Sequence, residues 1–331
     1  MDRDGFTAYL KERNCTDEKV EEALAIAEGF EAFRAESGRP IEPAAAATQT
    51  TFAFSETMIE RGTNTWDNYV ALFRYGRFLG NDAVFIAAIE LVDGAEALER
   101  LHAMLAEEHG EDVRDRIFEG IELPALGSPN TEKPAAMGTV IRRLEATLGD
   151  EACIGLLKDS LRHLEDQWYL DAKTKYEEAG GIDAYLDRKG REFIAELEKY
   201  RDEGTLYFSQ PINDAVIDYV NAHPEIRSGV RDGTRILEAK IPHQAVKFLE
   251  ATDPAEKGYH YCHCPWAKES LRDGAATTVP PIFCNCSAGF HKKPYEVIFG
   301  QPLRAEVLEC VLAGDPWCKF AIYLPDGVVE E

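Results

Sequence analysis

No run of about 18 apolar residues occurs in this 331-residue chain, so the sequence predicts no membrane-spanning helix and no membrane partner. The first residues, "MDRDGFTAYLKERN", lack the apolar core of a cleaved signal peptide, which points to the cytoplasm. Basic residues are scarce: 36 Lys and Arg stand against 60 Asp and Glu, for a formal net charge of −24. Phosphate backbones are bound by Lys and Arg that replace counterions, so a nucleic-acid partner is not expected. "FHKKP" at 290–294 is the best basic patch, and it is small. Cysteine is also sparse. Eight in a chain of this length do not make a secreted disulfide scaffold. In a reducing compartment, clustered cysteines lean instead towards metal binding or thiol chemistry.

What is present reads first as helices. "DEKVEEALAIAEGFEAFRAES" (17–37) spaces Val20, Ala23, Ile26, Ala27, Phe30 and Phe33 at helical intervals, with Thr16 as N-cap. "TWDNYVALFRYGRFLG" (65–80) repeats the pattern and closes on Gly80. "ELPALGSPNTEKP" (122–134) is rich in turn formers and reads as a linker. Helical patterns resume, "EACIGLLKDSLRHLEDQWYLDAKTKYEEAG" among them, and run to about residue 229. From about 230 the pattern changes. "TRILEAKIP" and "GYHYCHC" read as strands, and "LRAEVLECVLAGDPWCKFAIYLP" as a β-hairpin turning at "AGDPW". Pro294 is placed as the first residue of a short helix ending at Gly300, with 287–293 as loop. The fold class is therefore α+β. A helical domain (1–121), a linker (122–134) and a helical middle region (135–229) precede a C-terminal α/β domain (230–331).

The chemistry concentrates in one window. Residues 260–291, about a tenth of the chain, hold four of the eight cysteines and three of the eight histidines. Alternate residues of a strand share a face, so an extended "YHYCHC" points His260, Cys262 and Cys264 one way. Extended Cys284 and Cys286 would also share a face. Together these form a candidate metal set of His260, Cys262, Cys264, Cys284 and Cys286. Zinc prefers four Cys or His ligands, while an Fe–S cluster or another thiophilic metal suits the same thiolates. A one-residue spacer is not the usual Cys-x-x-Cys knuckle, so one cysteine from each pair plus histidines is an open variant. Buried thiols and reactive thiols are alternatives. His263 and His291 are the candidate acid–base residues beside an open metal position. Trp266, Phe283, Phe290 and Tyr295 flank the cluster and would wall a small-molecule pocket or pack around a closed metal site. Cys310 and Cys318, on alternating apolar strands, read as buried hydrophobes.

The hairpin "VLECVLAGDPWCKFAI" is similar to the end of 4-vinyl reductase-type domains and also resembles the related L-2-amino-thiazoline-4-carboxylate hydrolase-like proteins. "CHCPWAKESL" resembles the Cys-Pro segment that precedes it in L-2-amino-thiazoline-4-carboxylate hydrolase-like proteins. The chain as a whole resembles a bacterial family carrying that C-terminal module over about 100 residues. The resemblance implies an α/β small-molecule-binding domain, sometimes with Cys/His metal ligands, acting either as a hydrolase opening a C–N bond or as a ligand sensor. In the sensor case the helical half would contact a protein partner. The double Cys-x-Cys arrangement departs from the family's simpler pattern. "FTAYLKERN…TWDNYVALFRYGRFLG" resembles the helical core-binding domain of tyrosine recombinases, but no Arg/His/Tyr catalytic set accompanies it. A plain helical bundle accounts for those helices.

Overall fold

The structure is a computed structural model and describes residues 1–161, 164–272 and 278–328. Chain contacts divide it into two compact units, 1–96 with 122–136 and 97–121 with 137–331. The 122–134 stretch read as a linker thus belongs with the first unit.

The first unit holds α1 (Arg3–Lys11), α2 (Asp17–Ser37), α3 (Ala44–Glu60), α4 (Trp66–Phe78) and α5 (Asp82–Val92). Local signals set the helix starts. Thr16, Thr65 and Asn81 accept backbone N–H bonds from Lys19, Asn68 and Val84, satisfying donors the first turn leaves orphaned. The apolar stripes meet in one core built on Phe6, Leu10, Phe30, Phe54, Tyr69, Leu72, Tyr75 and Leu91. Helices α4 and α5 cross closely at Gly76, where a Cβ would stand 2.7 Å from the Phe85 nitrogen. The Ser55 hydroxyl donates to the Gly127 carbonyl at 2.8 Å, pinning the 122–134 stretch to this core.

The second unit contains α6 (Ala97–His109), α7 (Glu111–Phe118), most of α8 (Lys133–Leu148), α9 (Asp150–Gly155), α10 (Leu170–Ala179), α11 (Ile182–Glu203), α12 (Asp214–Ala222), α13 (Pro224–Arg227), α14 (Ala245–Glu250), α15 (Pro254–Tyr261) and α16 (Asn285–Phe299). Its sheet has four antiparallel strands: β1 (Val230–Asp232), β2 (Arg235–Ala239), β3 (Ala305–Glu309) and β4 (Lys319–Tyr323), in the order β1-β2-β4-β3. The α+β class and the C-terminal hairpin, β3 with β4, hold. Between β2 and β4 the register sets Ile236 opposite Ile322 and Glu238 opposite Phe320. The long helical pattern read from residue 151 is broken: α9 gives way to a π-helical segment, Leu156–Ser160, and helix resumes at Asp166. Arg162 and His163 of that pattern lie outside the described residues.

Two readings near the cluster are overturned. "GYHYCHC" is not a strand: α15 runs to Tyr261, after which the chain leaves the helix at Cys262. Asp253 caps the helix and Pro254 occupies its first position, where a missing N–H is harmless. Nor is 287–293 a loop. Helix α16 spans Asn285–Phe299 with Pro294 inside it, and Gly300 (φ +66°) ends it. A proline there forfeits one helical hydrogen bond, which packing of α16 on the sheet outweighs. Among the described residues, no helix is long and apolar enough to cross a membrane.

Candidate functional site

A polar ladder joins β2 to α16. Side chains two apart on a strand share a face, so Ile236 and Glu238, with Lys240 just beyond the strand, point the same way. Side chains four apart on a helix also stack on one face, which aligns Ser287, His291 and Tyr295. The two rows interlock. Lys240 Nζ donates to Ser287 Oγ at 2.9 Å. His291 Nδ1 meets Glu238 Oε2 at 2.8 Å, and the Tyr295 hydroxyl donates to Glu238 Oε1 at 2.6 Å. Lys189 of α11 closes an ion pair on the same Oε1. The ring of His291 stacks on Phe320 at 4.5 Å, as expected where Phe320 lies beside Glu238 in the register.

Glu238 is only 5% exposed. Burial alone would raise its pKa. The Lys189 ammonium and the hydrogen bond from His291 outweigh burial and hold it at about 2. His291 is lowered too, but by burial, which Lys240 and Lys189 reinforce against the pull of Glu238. A neutral imidazole facing an ionised carboxylate carries its proton on Nδ1. Nε2 is then a bare lone pair, and it is buried with no hydrogen-bond partner among the described residues. A buried polar atom left so costs about 1–3 kcal/mol.

Next to the ladder, cysteines gather from four separate segments. Cys284, at the end of a 3₁₀ turn (Pro281–Cys284), donates its thiol to Cys310. Cys310 precedes the turn Val311–Ala313, and the N–H groups of Leu312 and Ala313 face its sulfur. The Cys284 hydrogen bond and these N–H groups lower Cys310, while Cys284 is pushed well up. Cys262 and Cys318 complete the group. Burial raises Cys262, with Lys240 and Lys268 opposing. Burial and the neighbouring Cys262 push Cys318 up to about 12. Cys310 and Cys318 are buried, as expected of small hydrophobes, but they also belong to this thiol cluster.

The remaining candidates fall differently. Cys286 is buried in the first turn of α16. Residues two apart along a helical stretch are about 200° apart around its axis, so Cys284 and Cys286 do not share the face that a strand would have given them. Cys264 turns its backbone N–H to the sulfur of Cys262. His260, in the last turn of α15, meets the Gln244 side chain at 3.2 Å. His263 donates from Nε2 to the Ile241 carbonyl at 2.7 Å, and burial holds its pKa well below the usual range. Trp266, Phe283 and Tyr295 are core residues, whereas Phe290 is 40% exposed. Among the described residues, no three His, Cys, Asp or Glu side chains stand in a ligating arrangement.

Sequence reasoning missed Glu238, Lys240, Lys189 and Ser287. A signal for the first two existed: "ILEAK" puts a carboxylate and an ammonium on the same strand face as Ile236. Ser287, His291 and Tyr295 line up only once the helix is extended through Pro294. No protein-family model matches the chain, and no curated protein or solved structure matches it either.

Proposed function

We propose that the second unit binds a thiophilic metal ion, zinc, at Cys262, Cys284, Cys310 and Cys318, and takes a small molecule beside it. The carrying observation is the gathering of four of the chain's eight cysteines, from segments more than 50 residues apart at the extremes, into one neighbourhood in which Cys262, Cys310 and Cys318 are buried and Cys284 is half-buried. The donor chemistry suits the ion, since four thiolates close a tetrahedral structural zinc site. Cys284 and Cys310 already share a hydrogen bond, and the four thiols do not stand in a ligating arrangement among the described residues, so binding would require them to close in on the ion. Four thiolates on a divalent ion carry a net charge of −2. Lys240 and Lys268, whose charges already reach Cys262, would offset it. A closed four-cysteine site is structural, so any turnover would fall to the adjoining ladder. The hairpin's resemblance to hydrolase-like proteins supports C–N bond opening there. The alternative is a metal- or ligand-sensing module whose helical half contacts a protein partner. No disulfide links any of the eight cysteines, as a cytoplasmic location would have it.

The Cys284–Cys310 hydrogen bond, with its opposed shifts, favours a second reading: thiol–disulfide chemistry at that pair. Elemental analysis of anaerobically purified protein separates the two. The metal reading expects about one zinc per chain, with Cys284→Ser and Cys310→Ser losing it and Cys15→Ser keeping it. Iron with visible absorbance would redirect the site to an Fe–S cluster. Metal-free protein in which mild oxidation links Cys284 to Cys310 would establish the thiol reading instead.

A further inference from the structure

We infer that the ladder between β2 and α16 is a site for a small anion that still carries a proton, with His291 Nε2 accepting that proton in a hydrogen bond and Lys240 balancing the charge. This gives the proposed small-molecule site its chemistry and rests on that part of the reading, not on the metal. Three observations converge. First, Glu238 fixes the Nδ1 proton of His291, so Nε2 can only accept. Glu238 is itself held by Lys189 and Tyr295, which leaves it little freedom to release the ring. Second, Nε2 is buried and without a partner among the described residues, and such an atom in a folded protein calls for a water, an ion or a ligand. Third, the charges around it do not balance. Lys189 and Glu238 neutralise each other. Lys240, by contrast, meets the neutral Ser287 hydroxyl. Burial lowers His291 and His243, and the Lys240 charge lowers both further, so a positive charge sits near two neutral imidazoles. His243 Nδ1, within that field, is a second buried nitrogen with no partner among the described residues.

The histidines thereby separate. His263 spends its Nε2 proton on the Ile241 carbonyl and is a structural residue. His291 presents the free acceptor. An ion with charge but no proton would leave Nε2 unpaired, whereas one bearing an O–H satisfies both groups. Inorganic phosphate and sulfate differ in this respect: near neutral pH phosphate keeps at least one O–H, and sulfate keeps none.

The test is calorimetric titration of the full chain with phosphate and with sulfate at one ionic strength. It is paired with NMR of the ring nitrogens in ¹⁵N-histidine-labelled protein. Phosphate should bind at least tenfold more tightly than sulfate and shift the Nε2 signal of His291 while leaving that of His263 in place. His291→Phe, which keeps a ring over Phe320, should erase the preference but retain weak binding of both ions. Lys240→Met, at a half-buried position, should weaken both ions together and serves if the first variant fails to fold. Equal affinity for the two ions would overturn the inference, because charge alone would then explain binding. Binding of neither ion, with the His291 signal unmoved, would overturn it too and leave the orphan nitrogen to an internal water. Zinc content measured on the same samples keeps the metal question separate. A thermal-shift screen of neutral small molecules shows whether a pocket survives without an anion.

Discussion

At the scale of single residues, the buried titratable groups make stability depend on pH. Glu238 is depressed from 4.5 to about 2, so its contribution is complete above about 4.5 and is lost as pH falls towards 2. The histidines act at higher pH. His243 is lowered from 6.5 to about 3, chiefly by burial, and His263 and His291 are lowered with it. Below about 6.5 the unfolded chain takes up protons that the folded chain refuses, so stability falls as pH drops. Urea midpoints should therefore decline from pH 6.5 downward, before carboxylates begin to titrate. His263→Gln should flatten that decline between pH 6.5 and 5 relative to the parent. A parent midpoint that stays level over that interval would mean these rings are protonated in the folded protein.

At the scale of elements, the glycines of α15 and α16 invite opposite outcomes. Gly289 lies where α16 crosses the π-helical segment, and an added Cβ would stand 1.9 Å from the Lys158 carbonyl oxygen. Backbone cannot yield as a side-chain tip can, so Gly289→Ala should destabilise by about 2 kcal/mol or more, despite alanine's better helix propensity. Gly258 in α15 offers its Cβ only an ordinary contact with Leu271 at 4.0 Å. Gly258→Ala should stabilise by roughly 0.5–1 kcal/mol. Denaturant unfolding of both variants checks the sign of each change. These helices also mark where the sequence was readable. The cap at Thr16 and the apolar stripe of α2 are local, and they appear where expected. Asp253-Pro254 was an equally local start signal for α15, masked by the tyrosines of "GYHYCHC", which suit strands. Pro294 misled because a propensity penalty was weighed without the packing that overrides it. From the lost helix followed the loss of the ladder, since Ser287, His291 and Tyr295 share a face only at helical spacing. The cysteine cluster was half legible. Spacing along the chain located Cys262 and Cys284. Cys310 and Cys318 join them only through the hairpin's tertiary position, which no local pattern encodes.

At the scale of the whole molecule, the charge is distributed against its own total. The chain carries −24, yet the cysteine cluster and the ladder lie among Lys189, Lys240 and Lys268. Those ammonium groups turn into the fold: Lys189 faces the buried Glu238, Lys240 faces Ser287, and Lys268 is itself 2% exposed. They are local fields rather than a surface, so they do not offer a stripe that tracks a phosphate backbone. On the outside, many cations are paired with acidic side chains, as Arg188 is with Glu178 and Glu192, and Arg201 with Asp202 and Asp214. Duplex binding draws its affinity from counterions displaced by unpaired Lys and Arg, and a strongly negative molecule pays long-range repulsion before any contact forms. The protein should therefore show no binding to a 20-base-pair duplex by fluorescence anisotropy at about 150 mM salt. Lowering the salt should not rescue it, because weaker screening also strengthens the repulsion. Sub-micromolar binding that weakens steeply with added salt would reverse this conclusion and return the N-terminal helices to the recombinase-like reading. Small anions are a separate matter. They can be drawn to a single half-buried lysine whose field is less screened than that of an exposed one, so the same chain can reject DNA and still hold phosphate at Lys240 and His291.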